Sequence, residues 1–552
     1  MFKVALVGPE LEENLSLRYL ASSLTVAGFS SQIVPFDGPD DLQRVLAALL
    51  ESGEPPALIG LSLSFQRRAK DFLALSLALR QNGYTGHITA GGHFGTFACT
   101  EILRDFPEID SICRHEAENT LVSLAKALCS GSDLAPIPGL ACRDAHGNVL
   151  LTELPAPPDL QRLPWPDRRG VPSECLGHRL APLVASRGCY GHCAFCCISA
   201  WHEQTLPGKR FRLRPIEDVA DEMGQLYHQR KIEVFIFHDD NFFLPDRSET
   251  LRRIGSLADI LEQRGVWDFA TIVKARPNDL TPDVLSAMRE RLGLIRLYVG
   301  IENASDLGLS TLRRRVRSDQ NHYALELLEH SGVFSCFNLL IFDPTTRIED
   351  LEINLAFMEK FAAVPQNFGR VELYAGTPLL ARLQAEGRCK GDYLDWDYRI
   401  ADDAVQKIFE LAMKCFYVRN FSDEAAPHRL MGARFAVEMA ARFHPWVFRE
   451  SWRTEARRLN CTLSHDSVKA MREIIEFVGS GGGRRDEMEF TATLAGRLRA
   501  VERMIHDAAD LLEKEIENAI GKTAQYNPEY WVSGGNPHEK EQGTKPTKRA
   551  RV

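Results

Sequence analysis

Apolar residues along the first 130 positions fall into short β-rich runs separated by stretches with helical spacing. The runs are FKVALVG, SQIVPF, ALIGLSLSF, HITAGGHF and IDSICRH. Between the first two, Leu17, Leu20 and Leu24 recur along one helix face. Strands alternating with helices in this way predict an α/β unit over residues 1–135: a doubly wound, parallel, flavodoxin-like sheet whose ligands sit outside the carboxyl ends of its strands.

The pattern then changes twice. Pro155, Pro157, Pro158, Pro164 and Pro166 disfavour helix and predict a semi-rigid extended linker over 136–178. From about 179 to 395 a second α/β series runs through APLVASRG, EVFIFHDD, FATIVKAR, IRLYVGIE, SCFNLLIFD and GRVELYAG. Six β/α units predict a partial (β/α)6 barrel, with its chemistry at the C-terminal strand ends. Residues 396–523 are helical in pattern and are expected to close the barrel mouth. GSGGGRR at 479–485 lacks the Gly-Lys-Ser/Thr of a phosphate loop and reads as a linker. The polar stretch 524–552 reads as a disordered tail.

Composition narrows the function. A chain of 552 residues with formal net charge −9 is multidomain and is not a general nucleic-acid binder, which needs a basic face. No apolar run approaches about 18 residues, so no membrane span is expected. The start MFKVALVG enters a strand directly and lacks a signal-peptide profile. Thirteen cysteines, an odd number, predict reduced thiols in the cytoplasm rather than a disulfide scaffold.

Four of the thirteen lie within nine residues, in SRGCYGHCAFCCISAWHEQ. Cys189, Cys193 and Cys196 stand in Cys-x3-Cys-x2-Cys order just after the first expected barrel strand. Three thiolates on so short a loop can hold one corner of a 4Fe–4S cubane and leave the fourth iron open, whereas ordinary ferredoxin sites use four cysteines. Zinc is the rival, with His192 or His202 as the further ligand. Buried cysteines without any ligand are the third reading, and Cys197 is expected to be a packing residue.

This segment resembles the signature of the radical S-adenosylmethionine (SAM) superfamily, with Phe195 at the aromatic position. The resemblance implies that SAM chelates the open iron and is cleaved, on reduction, to methionine and a 5′-deoxyadenosyl radical, with Phe195 near the adenine. FIFHDDNF stands where the family contacts the methionyl amino group, which makes Asp239, Asp240 and Asn241 candidates. Lys274 and Arg276 in KARPN are candidates for the methionyl carboxylate, and Glu302 for the amino or ribose groups. TAGGHFGTF and the His115–Glu116 turn make the first domain similar to the cobalamin-binding domain of radical enzymes, and Gly91, Gly92, His93, Thr96 and Glu116 become candidate cobalamin contacts. The Asp-x-His-x-x-Gly motif is absent, since ELEENLSLRYL follows VALVGP. His93 is therefore expected to touch cobalamin without ligating cobalt.

Taken together, the resemblance implies a cobalamin-dependent radical SAM methyltransferase. It would act through methylcobalamin on an unactivated carbon, or a phosphinate phosphorus, of a small biosynthetic intermediate. It would be served by an electron donor such as flavodoxin or ferredoxin. A rearrangement or cyclisation with the same cofactors is the second reading, and a non-catalytic metal-binding sensory protein the third.

Overall fold

Strand residues that are apolar on both faces build the first sheet, because helices cover it on each side. In the computed structural model, which describes residues 2–526 except 52, 209, 423, 424 and 482, five parallel strands form it: β1 (Lys3–Gly8), β2 (Ser30–Pro35), β3 (Leu58–Ser62), β4 (His87–Gly91) and β5 (Ser111–Cys113). Their order is β2-β1-β3-β4-β5, the flavodoxin-like winding. Ala5, Val7, Ile59 and Ile88 pack into one core, and Val4, Leu6 and Leu58 into another across the sheet.

The expected linker contributes to both sheets. Two strands, β6 (Leu140–Arg143) and β7 (Val149–Leu151), pair antiparallel onto β5 and extend the first sheet. The proline count masked them: Leu140, Ala141 and Cys142 are buried and cover an otherwise open sheet edge. Only the proline stretch itself lacks regular structure. A short strand, β8 (Ser173–Cys175), then turns back antiparallel onto β9 (His178–Leu183).

Six parallel strands make the partial barrel: β9, then, after the short pair β10 (Ser186–Gly188) and β11 (Phe211–Leu213), β12 (Ile232–Phe237), β13 (Ala270–Ala275), β14 (Leu294–Glu302), β15 (Phe334–Phe342) and β16 (Gln366–Arg370). The last strand begins and ends earlier than GRVELYAG predicts. Residues 371–376 leave the sheet and dock on the first domain, where Gln66 Nε2 donates to the Leu373 carbonyl (3.3 Å) and the Ala375 amide donates to Gln66 Oε1 (3.1 Å). Gly376, at φ +76°, lies where a Cβ would meet the Phe97 ring at 2.2 Å. A side chain there would push the domains apart.

The C-terminal helices Asp403–Phe421, Ala426–Phe443, Glu450–Gly479 and Arg484–Tyr526 pack together, and the last of them runs past the expected start of the tail. The rest of that stretch, 527–552, lies outside the described residues. These helices do not close the barrel mouth. Met439 and Phe443 pack on Leu180, Val234, Ala270 and Ile295, which lie in the first halves of their strands. The helices therefore seal the floor, and the C-terminal strand ends face the first domain. Among the described residues no helix is long and apolar enough to cross a membrane.

Buried charge fixes the docking. Arg168 of the connector pairs with Glu13 of the first domain and, at 2.8 Å, with Glu222 of the barrel; the two carboxylate side chains are 4% and 2% exposed. Arg168→Met leaves both carboxylates without this guanidinium. It is expected to lower unfolding free energy by about 3–5 kcal/mol, as is typical when one member of a buried pair is removed. Thermal unfolding checks this, and an unchanged Tm would contradict the role assigned to Arg168.

Candidate functional site

The cysteine loop leaves the first barrel strand through β10 and ends where Cys196 stands at the N-terminus of the helix Cys197–Thr205. Its sulfurs are met by donors. Arg314 Nη1 donates to Cys193 Sγ at 3.0 Å and Arg276 Nη1 at 3.5 Å, and the Gly191 amide donates to Cys189 Sγ at 3.3 Å. A Cβ at Gly191 would lie 2.7 Å from the Arg276 guanidinium, so a side chain there would displace that cation from the loop. Tyr190 donates to Asp279 and carries the Arg276 guanidinium over its ring, 5.6 Å from the centroid. Burial pushes the Cys189 thiol up to about 11 and the Cys196 thiol up as well, so these groups need a bound cation to persist as thiolates.

Donors aimed at sulfur, beside buried cations, fit a three-thiolate cluster. The zinc reading fits less well. His192 turns out to the Arg210 guanidinium, and His202 turns to Glu116 at 3.6 Å. Among the described residues no three His, Cys, Asp or Glu side chains converge on a single-ion site.

The remaining barrel candidates divide. Asp240 faces an open cleft; its carboxylate accepts from the Gly188 amide at 3.1 Å, and surrounding protein pushes it up to about 6, opposed by Lys274. Lys274 also lies near Glu12 of the first domain, and Glu12 meets His238 at 3.0 Å. Asp239 and Asn241 depart from expectation and turn inward. Asp239 accepts from the Ala185 amide (3.0 Å) and from Ser186 Oγ, while Asn241 donates to the Phe243 carbonyl (2.8 Å). Both hold the strand-end loops. Arg276 likewise serves the cysteine loop rather than a methionyl carboxylate. Glu302, at φ +64°, sits opposite Arg314 and Arg276, with its carboxyl raised by burial. Phe195 packs against the barrel core.

On the first domain the candidates gather at the C-terminal ends of β4 and β5. Gly91 and Gly92 line the cleft, and Gly92 (φ +99°) lies where a Cβ would fall 2.8 Å from the Ser64 backbone. His93 presses on Trp201 at 3.9 Å between ring centroids, and His115 stacks on the same indole at 5.9 Å. His93 Nε2, His115 Nδ1 and Trp201 Nε1 are buried without a hydrogen-bond partner, which is the mark of a cleft built to receive polar groups. Thr96 does not face the cleft: its hydroxyl accepts from the His115 amide at 2.8 Å and holds that residue at φ +62°.

Glu116 is also spent elsewhere, on Arg187 (2.6 Å) and Arg212 of the barrel, with Glu118 joining Arg187 at 2.7 Å. Sequence reading missed Arg187, Trp201 and Arg314. A tryptophan in the helix after the cysteines and an arginine inside the run LRRRVR were the available signals. The cleft thus has one wall from the sheet ends and the other from the segments flanking the cysteine loop, Ser186–Gly188 before it and Ile198, Trp201 and His202 after it, with about 1170 Å³ of space that opens to solvent.

Comparison with known proteins gives the same division. The radical SAM superfamily matches residues 183–357 and the B12 binding domain residues 4–125. The uncharacterized methyltransferase PH0819 of Pyrococcus horikoshii is 26% identical over 70% of this chain and 79% of that protein. The anaerobic magnesium-protoporphyrin IX monomethyl ester cyclase of Rubrivivax gelatinosus is 26% identical over 60% of each. Among solved structures, the cobalamin-dependent S-adenosylmethionine radical enzyme OxsB with aqua-cobalamin bound shares the fold, at TM-score 0.64 and 18% identity over 94% of this chain and 84% of that one. The chain belongs to the cobalamin-dependent radical SAM enzymes. A 4Fe–4S cluster, SAM and cobalamin are accordingly its cofactors.

Burial holds His115 and His202 near pH 4, well below their ordinary 6.5. The unfolded chain therefore takes up protons below about 6.5 that the folded one refuses, and stability falls as pH drops from there toward 4. In the cofactor-free protein, the combined His115→Gln, His202→Gln substitution is expected to flatten denaturant-derived stability between pH 6.5 and 5 by up to about 1.4 kcal/mol per pH unit per histidine. Equal slopes for the two proteins would show these rings protonated in the fold.

Proposed function

We propose that this enzyme methylates an unactivated carbon, or a phosphinate phosphorus, of a small biosynthetic intermediate in the cytoplasm. The observation that carries the reading is the shared cleft: the sheet ends that fit cobalamin face Asp240, the strand that enters the cysteine loop and the helix that leaves it across a single space. A methyl donor and a radical generator serve one substrate only if both reach it. Thirteen free cysteines suit a reducing compartment. When bound, the cluster and cobalamin supply, respectively, the electron that cleaves SAM to a 5′-deoxyadenosyl radical and the methyl group that is transferred.

The chain's own part is positional and electrostatic. Arg314 and Arg276 hold positive charge at Cys193 and favour electron density on that sulfur. Asp240, which faces the cleft, with Lys274 beside it, is placed to bind the charged methionyl end of SAM. The first domain lies over the C-terminal strand ends and keeps bulk water from a radical there. The relative named as a cyclase favours, as the second reading, ring formation with the same cofactors and no methyl transfer.

Reconstituted anaerobically with iron, sulfide, cobalamin, SAM and a reductant, the protein is expected to release both S-adenosylhomocysteine and 5′-deoxyadenosine. Cells fed methionine with a trideuterated methyl group should accumulate a metabolite carrying that group, and cells lacking this protein should not. Deoxyadenosine without S-adenosylhomocysteine, and no labelled metabolite, would transfer the assignment to the cyclase reading.

A further inference from the structure

The cysteine loop has a second face. Behind it, away from the cobalamin cleft, lies a recess of about 1270 Å³, open to solvent, whose lining includes His192, Cys193, Arg210, Arg313, Arg315 and Arg317. Cys193 thus belongs both to the cluster loop and to this recess. The segment 312–317 explains how. Leu312, Arg314 and Val316 are buried while Arg313, Arg315 and Arg317 are exposed, so alternate residues point inward and outward. The buried arginine donates to Cys193 Sγ at 3.0 Å, and the exposed ones coat the surface directly outside it. Arg313 and Arg315 both hold φ +51°, a left-handed conformation that arginine adopts only under constraint.

Charge concentrates here against the trend of the chain. Four arginines and two carboxylates, Glu203 and Asp306, line the recess of a protein whose formal net charge is −9. Arg210 is paired with Glu203 (2.6 Å) and Arg317 with Asp319, while the Arg313 and Arg315 guanidinium groups have no partner among the described residues. Two unneutralised cations, packed over a cluster ligand, raise the energy of the free protein's surface. A solvated arginine face elsewhere would do nothing special; this one touches the loop that must receive an electron from outside.

We propose that this recess docks an acidic flavodoxin, which delivers the electron for SAM cleavage; the proposal rests on the radical SAM reading above. In the step, the flavin hydroquinone loses one electron and becomes the semiquinone. The oxidised cluster gains that electron and passes it to the SAM sulfonium, whose carbon–sulfur bond breaks to leave methionine and the deoxyadenosyl radical. The concavity selects the carrier. A flavodoxin presents the edge of its flavin at the surface, and a projecting edge fits a hollow, whereas a flat partner would leave the recess floor unreached. Electron-transfer encounters use small, electrostatically steered interfaces, and a compact basic patch of this kind is sufficient for one.

The test compares two electron sources on the full-length reconstituted enzyme. The Arg313→Glu, Arg315→Glu protein should release 5′-deoxyadenosine about tenfold more slowly than wild type with subsaturating flavodoxin hydroquinone. It should be at least as fast as wild type when dithionite-reduced methyl viologen supplies the electron, because the arginine patch repels this small cation rather than attracting it. The Arg313→Lys, Arg315→Lys protein keeps the charge and should retain the flavodoxin-driven rate. Binding of oxidised flavodoxin, read by calorimetry, should weaken about tenfold in the glutamate variant and should weaken with ionic strength in the wild type. Equal flavodoxin-driven rates for wild type and glutamate variant overturn the docking site. Patch-dependent reduction by ferredoxin but not by flavodoxin overturns the choice of partner. Equal loss with both electron sources, not rescued by lysine, overturns the docking role in favour of a structural one. No deoxyadenosine from wild type even with viologen would instead refute the radical SAM reading itself.

Discussion

The arrangement depends on one buried set of ion pairs, Arg187 and Arg212 against Glu116 and Glu118. Arg187 lies two residues before Cys189, and Glu116 lies in the turn that follows the last parallel strand of the first sheet. The same contact therefore sets the start of the cluster loop and the edge of the cobalamin wall. Two cations face two anions, so the charges offset one another, and the geometry matters more than the net energy, since buried pairs repay their desolvation only when well matched. A shift of either domain would break bonds at both cofactor walls at once.

A second consequence concerns where positive charge goes. Around Cys193, Arg276 and Arg314 are buried and donate to sulfur, with Glu302 opposite them to limit the excess. Asp240, raised to about 6, faces the other way into the cleft. The cysteine loop thus has buried cations at Cys193, and the strand end beside it turns a mixed acid–base surface to the cleft. That polarity suits a site that takes an electron from one side and holds a charged sulfonium ligand on the other.

Much of this was legible in the sequence, because period and spacing report local structure. Both α/β series, the order of their strands along the chain and the cysteine triplet followed from apolar runs and from Cys-x3-Cys-x2-Cys alone. What stayed hidden depends on tertiary contacts. VELYAG has a strand's composition, yet Gln66 of the other domain takes its backbone groups and pulls residues 371–376 from the sheet. Asp239 and Asn241 are polar residues at a strand end, where ligand contact and loop support look alike until the partners are seen. Arg314 is hidden within a run of arginines whose neighbours point outward. The helical C-terminus gave no hint of which end of the barrel it covers, because an amphipathic helix records only that it has a buried face.

The cobalamin wall and the strand and helix that carry the cluster loop face each other across one cleft. Electron paramagnetic resonance of the protein holding both a reduced cluster and cob(II)alamin tests it most directly, because two unpaired spins so placed must interact. The account predicts that each signal is split or broadened relative to a sample in which only that cofactor is paramagnetic. Two unperturbed spectra, superimposing as a simple sum, would place the cofactors in separate sites and contradict it.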